Sequence, residues 1–187
     1  MNDISTSNQE TPFSWKRELI NWIFVVLAAM AIAFFLNNFV IANSVVPSGS
    51  MENTIMTGDR VIGFRLSYLF SDPKRGDVVI FHFPDDPTGE TYYVKRIIGL
   101  PGDTVDVRDG HVYLNQADTP LLEPYIKEPM EKESSIHFEV PENSYLMLGD
   151  NRNHSSDARE WTNQYVSEDK IIAKVLFRYY PTPGLIQ

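Results

Sequence analysis

Tyr92-Tyr93-Val94-Lys95-Arg96-Ile97-Ile98-Gly99-Leu100-Pro101-Gly102-Asp103-Thr104-Val105-Asp106-Val107-Arg108-Asp109-Gly110-His111-Val112-Tyr113-Leu114-Asn115 is the stretch that decides the fold. Tyr, Val and Ile crowd its first third, and Pro101-Gly102 then breaks the chain. Thr104–Arg108 and His111–Asn115 flank Asp109-Gly110, a two-residue signal for a tight hairpin. The same rhythm of short apolar runs and turn residues extends both ways. Arg60–Phe64, Asp77–Phe83, Thr91–Ile98, Ile136–Val140, Tyr145–Leu148 and Ile171–Tyr180 all read as strands, with prolines at 84, 87, 101, 120, 124, 129 and 141 between them. The expectation is a mainly β, barrel-like sheet domain with few helices. Ala117–Ser135, polar and rich in proline, reads as a surface excursion. No repeat or low-complexity tract follows residue 42.

The N-terminus has a different texture. From Leu19 to Met51 there is no charged residue, and Leu19–Ile41 is interrupted only by Asn21, Asn37 and Asn38. At about 1.5 Å per residue a helix over 19–41 crosses a hydrocarbon core of roughly 30 Å. Lys16 and Arg17 precede it, and Trp15 and Trp22 suit the headgroup level. The positive-inside rule then puts residues 1–18 in the cytoplasm, 19–41 across the membrane and 42–187 outside the cytoplasm. Val40-Ile41-Ala42 leaves a cleavable signal peptide as the alternative, but the apolar run exceeds the usual 7–15 residues of such a peptide's core, which favours an uncleaved anchor.

Composition sets outer bounds. The chain has 187 residues, 43% of them hydrophobic, a net charge of −9 and no cysteine. Thiol nucleophiles, disulfides and thiolate metal sites are therefore excluded. An acidic surface argues against nucleic acid as a partner, since displacing counterions needs a basic face. Lys16 and Arg17 of the 16 basic residues, and Asp3, Glu10 and Glu18 of the 25 acidic ones, precede residue 42, so residues 42–187 carry −8. Electrostatics will not hold such a domain to anionic lipid, and the anchor must do it.

Three segments are odd for their surroundings. Val46-Pro47-Ser48-Gly49-Ser50-Met51 puts small hydroxyls beside Gly and Pro, which ordinarily means a turn. Ser50 is nine residues past Ile41, within ~30 Å of the membrane surface along an extended chain. In the second segment, Lys95 and Arg96 interrupt an apolar strand on alternate faces, so one cation can face solvent while the other points inward. An inward lysine loses hydration, which disfavours its charged form. At the ordinary pKa only roughly one lysine in two thousand is neutral at pH 7, so such a drop would create a base. A lysine snorkelling to the strand's end is the alternative. The third segment, Leu148-Gly149-Asp150-Asn151-Arg152-Asn153-His154-Ser155-Ser156-Asp157-Ala158-Arg159, reads either as a turn held by Asp–Arg pairs or as a loop that orients a neighbouring group.

Taken in order, the anchor, Pro47-Ser48-Gly49-Ser50-Met51, Gly58-Asp59-Arg60, Arg75-Gly76-Asp77-Val78-Val79, Tyr93–Asp103 and Gly149-Asp150-Asn151-Arg152 resemble bacterial type I signal peptidases over nearly the whole chain. One anchor and a compact length look more like the Gram-positive enzymes than the two-span Gram-negative ones. The resemblance implies a serine endopeptidase that cuts signal peptides from exported preproteins after a small-x-small motif. Its nucleophile would be Ser50 and its general base Lys95, a Ser-Lys variant of the serine–base pair. It further implies an oxyanion hole from the Ser50 N–H and the Ser48 hydroxyl, with Ser155 orienting the lysine. Asp157 and Arg159 would form a supporting ion pair, Asp150 and Arg152 would shape the same loop, and Val46 and Val94 would line shallow apolar pockets for the substrate. His154 and Ala158 depart from the family pattern, where Asn and Ser are commoner. Partners implied are preprotein signal peptides, the lipid bilayer and the export translocon.

His82, His111 and His137 are scattered on strands, and neither a metal nor a nucleotide cofactor is suggested. His154 with Asp157 offers a Ser-His-Asp alternative. A self-cleaving Ser-Lys repressor-type protease would need a DNA-binding module in place of residues 19–41. A tethered β domain that only binds, or a catalytically dead paralogue, is opposed by the pairing of Ser50 and Lys95 in their motifs.

Overall fold

A computed structural model describes residues 14–131 and 135–186. The chain divides into two compact units, residues 1–37 and 38–187. In the first, helix α1 (Trp15–Phe35) has Ser14 in extended conformation before it and Glu18 in its first turn, where a negative charge suits the positive end of the helix dipole. Its large side chains, from Trp15 through Phe35, are all exposed. With the π-helical turn Leu36–Val40 that follows, the helix is long and apolar enough to cross a membrane. It begins four residues earlier than the sequence suggests and stops one residue earlier. Ile41 is extended instead, because its backbone pairs with Phe64. Residues 1–13 of the expected cytoplasmic segment lie outside the described residues.

The second unit is mainly β, in agreement with the expected class. Its strands are β1 (Ile41–Val45), β2 (Arg60–Phe64), β3 (Val78–His82), β4 (Tyr92–Gly99), β5 (Thr104–Arg108), β6 (His111–Leu114), β7 (Ile136–Glu139), β8 (Ser144–Leu148), β9 (Tyr165–Ser167), β10 (Ile171–Tyr180) and β11 (Gly184–Leu185). The large sheet runs β1-β2-β10-β3-β4-β8-β9, with β11 on β10, and curls into a half-barrel whose end strands do not close on each other. A three-stranded sheet, β6-β5-β7, accompanies it. Every pairing is antiparallel, with register shifts along β10 and between β4 and β8. Asp109 and Gly110 both take positive φ between Arg108 and His111, as a two-residue hairpin requires.

Strand β3 shows where the core lies. Val79 and Phe81 join one apolar cluster with Ile97, Ile98 and Leu148, while Val78 and Ile80 join another with Val46, Met51 and Ile55. The period of two thus buries both faces of the sheet's centre. Consequently Lys95 and Arg96 are both buried, and neither reaches solvent as the alternation first suggests. The excursion Ala117–Ser135 is also less superficial than its composition implies, since Met130 is buried and Leu121 and Tyr125 pack on the core.

Candidate active site

The turn bearing Ser50 is pinned from below. Ser48 is extended, Gly49–Met51 form one 3-10 turn, and Met51 and Ile55 are wholly buried beneath it. Val46 N–H donates to Asp59 O at 2.9 Å and Gly58 N–H to Val46 O at 2.8 Å. The Asp59 carboxylate accepts from Met56 N–H at 2.8 Å and from Arg178 at 3.0 Å. Ser50 remains 8% exposed, and its Oγ stands 3.4 Å from Ser48 Oγ.

Lys95 comes from the middle of β4, directly across from Val79 of β3. Only 3% of it is exposed. Its Nζ lies 5.6 Å from the Tyr93 ring centre, and Tyr93 stacks on Phe83 at 4.4 Å and meets Trp161 edge-on at 5.9 Å. This apolar wall strips the amine of water and pushes its pKa down to about 8. The Asp157, Asp150 and Glu160 carboxylates pull it back up, and Arg159 pushes it further down, but desolvation prevails. Ser50, Lys95, Val46 and Val94 line one cleft of about 530 Å³, together with Ser48, Tyr92, His154 and Ser156.

The loop after β8 gives His154 and Ser156 to that cleft and is itself held by paired ions. Asp157 Oδ1 accepts from Arg159 Nε at 2.8 Å, and Oδ2 accepts from Gly149 N–H at 3.0 Å. Arg159 also donates to Arg152 O at 2.6 Å. Arg152 is gripped by both carboxylate oxygens of Glu123, at 2.9 and 2.5 Å, and donates to Gly149 O at 2.9 Å. Asp150 receives Arg96 through Nε at 2.9 Å and Nη2 at 2.7 Å, and Thr54 Oγ1 at 2.5 Å. Ser155 is buried with its hydroxyl unpartnered among the described residues. His154 is exposed, and both Asp157 oxygens are already taken, which disfavours a Ser-His-Asp arrangement.

The family described as signal peptidase, peptidase S26, matches residues 19–180. The chain belongs to this signal peptidase family. Signal peptidase I of Leptolyngbya laminosa is 36% identical over 172 residues, which cover 89% of this chain and 82% of that one. Signal peptidase IB of Staphylococcus aureus is 32% identical over 181 residues, covering 89% and 92%. A crystal structure of a signal peptidase I from Enterococcus faecalis is 29% identical with a TM-score of 0.46, covering 56% of this chain and 97% of that chain. As a signal peptidase the chain is a peptidase, and its single N-terminal apolar helix suits a membrane-anchored one.

Several residues that brace the cleft of this signal peptidase from behind escaped sequence reasoning. Asn151 donates its backbone N–H to Ser50 O at 3.0 Å and its Nδ2 to Gly49 O at 2.9 Å. A Cβ on Gly149 would stand 2.5 Å from Ser50 O and overlap Ser155, so only glycine lets the two loops meet. Arg96 has the Tyr125 ring 4.0 Å from its guanidinium and donates to Gly76 O at 2.7 Å. Glu123 and Tyr125 lie in a stretch whose polarity gave no sign of burial; a run of Tyr and Leu beside prolines was the available hint. Among the described residues no group of His, Asp and Glu is placed to hold a metal ion.

Proposed function

We propose that the chain is a membrane-anchored serine endopeptidase that removes signal peptides from exported preproteins by a Ser50–Lys95 dyad. The observation that carries this reading is the desolvated Lys95 amine in the cleft onto which the Ser50 hydroxyl opens. With its pKa down to about 8, roughly a tenth of Lys95 is neutral at pH 7, a few hundredfold more than for a lysine in water. Neutral Lys95 takes the Ser50 proton as Oγ attacks the scissile carbonyl. The oxyanion is held by the Ser50 N–H and the Ser48 hydroxyl, donors worth ~3–4 kcal/mol each. The Lys95 ammonium then protonates the departing amine, leaving an acyl ester on Ser50. In the second half Lys95 takes a proton from water as it attacks the ester, and returns that proton to Ser50 Oγ as the acyl bond breaks.

Ser155, whose buried hydroxyl has no hydrogen-bond partner among the described residues, is the group that would orient the Lys95 amine. The Asp157–Arg159 pair, with Asp150 and Arg152, holds the loop that carries it. Val46 and Val94 both line the cleft and give it an apolar wall, which supports cutting after a small-x-small motif. The helix tethers the peptidase to the bilayer from which an apolar signal peptide emerges, with residues 1–18 cytoplasmic and 42–187 beyond the membrane.

Processing of a preprotein in detergent micelles by wild type, Ser50→Ala and Lys95→Ala tests the assignment. Wild type cleaves, and both variants leave the preprotein intact. Wild-type processing by either one would overturn the dyad.

A further inference from the structure

The peptide group between Gly49 and Ser50 carries two functions on one rigid plane. Its N–H, that of Ser50, is the donor that the proposed mechanism aims at the oxyanion. Its C=O, that of Gly49, points the opposite way, because the unit is planar and trans. Whatever holds the Gly49 oxygen therefore aims the Ser50 N–H.

Two donors reach that oxygen. Glu52 N–H, at 3.1 Å, belongs to the same turn and moves with it. Asn151 Nδ2, at 2.9 Å, comes from the loop after β8, 102 positions further along the chain. Asn151 N–H also holds Ser50 O at 3.0 Å. The peptide groups on both sides of the Ser50 Cα are thus clamped by one residue, which fixes where its N–H points and the direction in which its side chain leaves the backbone. The clamp has a firm base. Its neighbour Asp150 is locked to buried Arg96, and Gly149 is held through Asp157.

The amide's other atom separates aiming from stabilising. Asn151 is 2% exposed, yet its Oδ1 has no hydrogen-bond partner among the described residues. A buried acceptor left unpaired works against stability. A residue placed to stabilise the loop would satisfy both ends of the amide, whereas this one satisfies the end that faces the Gly49 carbonyl.

We infer that Asn151 is a positioning residue that aims the oxyanion-binding N–H of Ser50 through the Gly49 carbonyl, an assignment that rests on the Ser50–Lys95 reading above. Asn151 touches neither the substrate nor the reacting atoms. Its effect belongs to the transition state, when the oxyanion forms.

The test uses the full chain in detergent micelles with a preprotein substrate. Asn151→Ala and Asn151→Leu, the second filling the same space without a donor, lower kcat by about tenfold to a hundredfold and leave KM within about threefold. The pH midpoint of the rate stays where Lys95 sets it. A substrate-like peptide aldehyde, which adds to Ser50 Oγ and places its oxygen at the oxyanion site, loses affinity in step with kcat. An uncleavable peptide of the same sequence binds as it does to wild type. Wild-type kcat in either variant overturns the inference. So does a fall in kcat with unchanged aldehyde affinity, or one accompanied by an equal loss of peptide binding. If neither variant keeps an unfolding midpoint near that of wild type, Asn151 is structural and the inference falls. Ser50→Ala reports on the underlying reading separately: if it is inactive while Asn151→Ala is fully active, the dyad stands and only the role of Asn151 is lost.

Discussion

Lys95→Met should abolish cleavage and make the protein more stable at neutral pH. Wild type holds an amine whose ordinary pKa near 10.5 has been pushed down to about 8. At about 1.4 kcal/mol per pH unit, protonated Lys95 opposes folding by about 3 kcal/mol at pH 7. Methionine has nearly the same length, carries no charge and suits the apolar wall made by Tyr93, Phe83 and Trp161. The sign of the pH dependence follows from proton counts. Between about pH 8 and pH 10.5 the unfolded chain keeps a proton on Lys95 that the folded chain has released. Wild-type stability therefore rises with pH across that window relative to the variant, which lacks the group. The advantage of Lys95→Met is greatest below pH 8 and fades to the packing difference alone near pH 10.5.

Urea unfolding of the full chain in mild detergent, followed by the fluorescence of buried Trp161, measures both proteins across this range. A gain of about 2–3 kcal/mol at pH 7 that shrinks above pH 8 is expected. A variant no more stable than wild type at pH 7, or an advantage independent of pH up to 10.5, would refute the argument that desolvation governs Lys95.

Two other perturbations follow from the same loop. Gly149→Ala drives a methyl into Ser50 O and the Ser155 side chain, and the backbone carbonyl cannot swing away cheaply; kcat should fall at least about tenfold, with about 1–3 kcal/mol lost in urea unfolding. Arg159→Ala removes a cation that pushes the Lys95 pKa down and frees Asp157 to pull it up, so the alkaline-rising limb of kcat/KM should move to higher pH; an unchanged limb would show that the pair does not act on Lys95.

Most strands were legible because their sequence signals are local. Arg60–Phe64, Thr104–Arg108 and Ile171–Tyr180 coincide with β2, β5 and β10, each being a short β-rich run between turn residues. Strands β1, β9 and β11 were not. Ile41–Val45 continues an apolar helix without a break in composition, and its extended form depends on β2 lying alongside. Tyr165–Ser167 and Gly184–Leu185 are too short to carry a period. At the site, Ser50 and Lys95 stand out because a hydroxyl between Gly and Met, and a cation in an apolar strand, are locally odd. Asn151 and Glu123 are ordinary in their own surroundings. Their meaning comes from residues 102 and 29 positions away, on Gly49 and Arg152, which no local window contains.

The paired ions around Lys95 resolve an apparent conflict. The lysine proposed as the base lies among carboxylates, which by themselves would keep it charged. Asp157 has Arg159 as its partner, and Asp150 has Arg96, with all four side chains nearly or fully buried. Arg159 offsets part of what Asp157 does to the amine, and desolvation outweighs these charges together. Buried pairs of this kind are poor sources of stability, because desolvating two ions offsets most of their attraction. Here they hold the loop that carries Asn151 and Ser155, and Lys95 stays below its ordinary pKa, as the proposed dyad requires. Without Arg159 the Asp157 carboxylate would raise the Lys95 pKa unopposed, and uncharged residues in place of the two aspartates would lose the hydrogen bonds to Gly149 and Thr54. The arginines satisfy both demands.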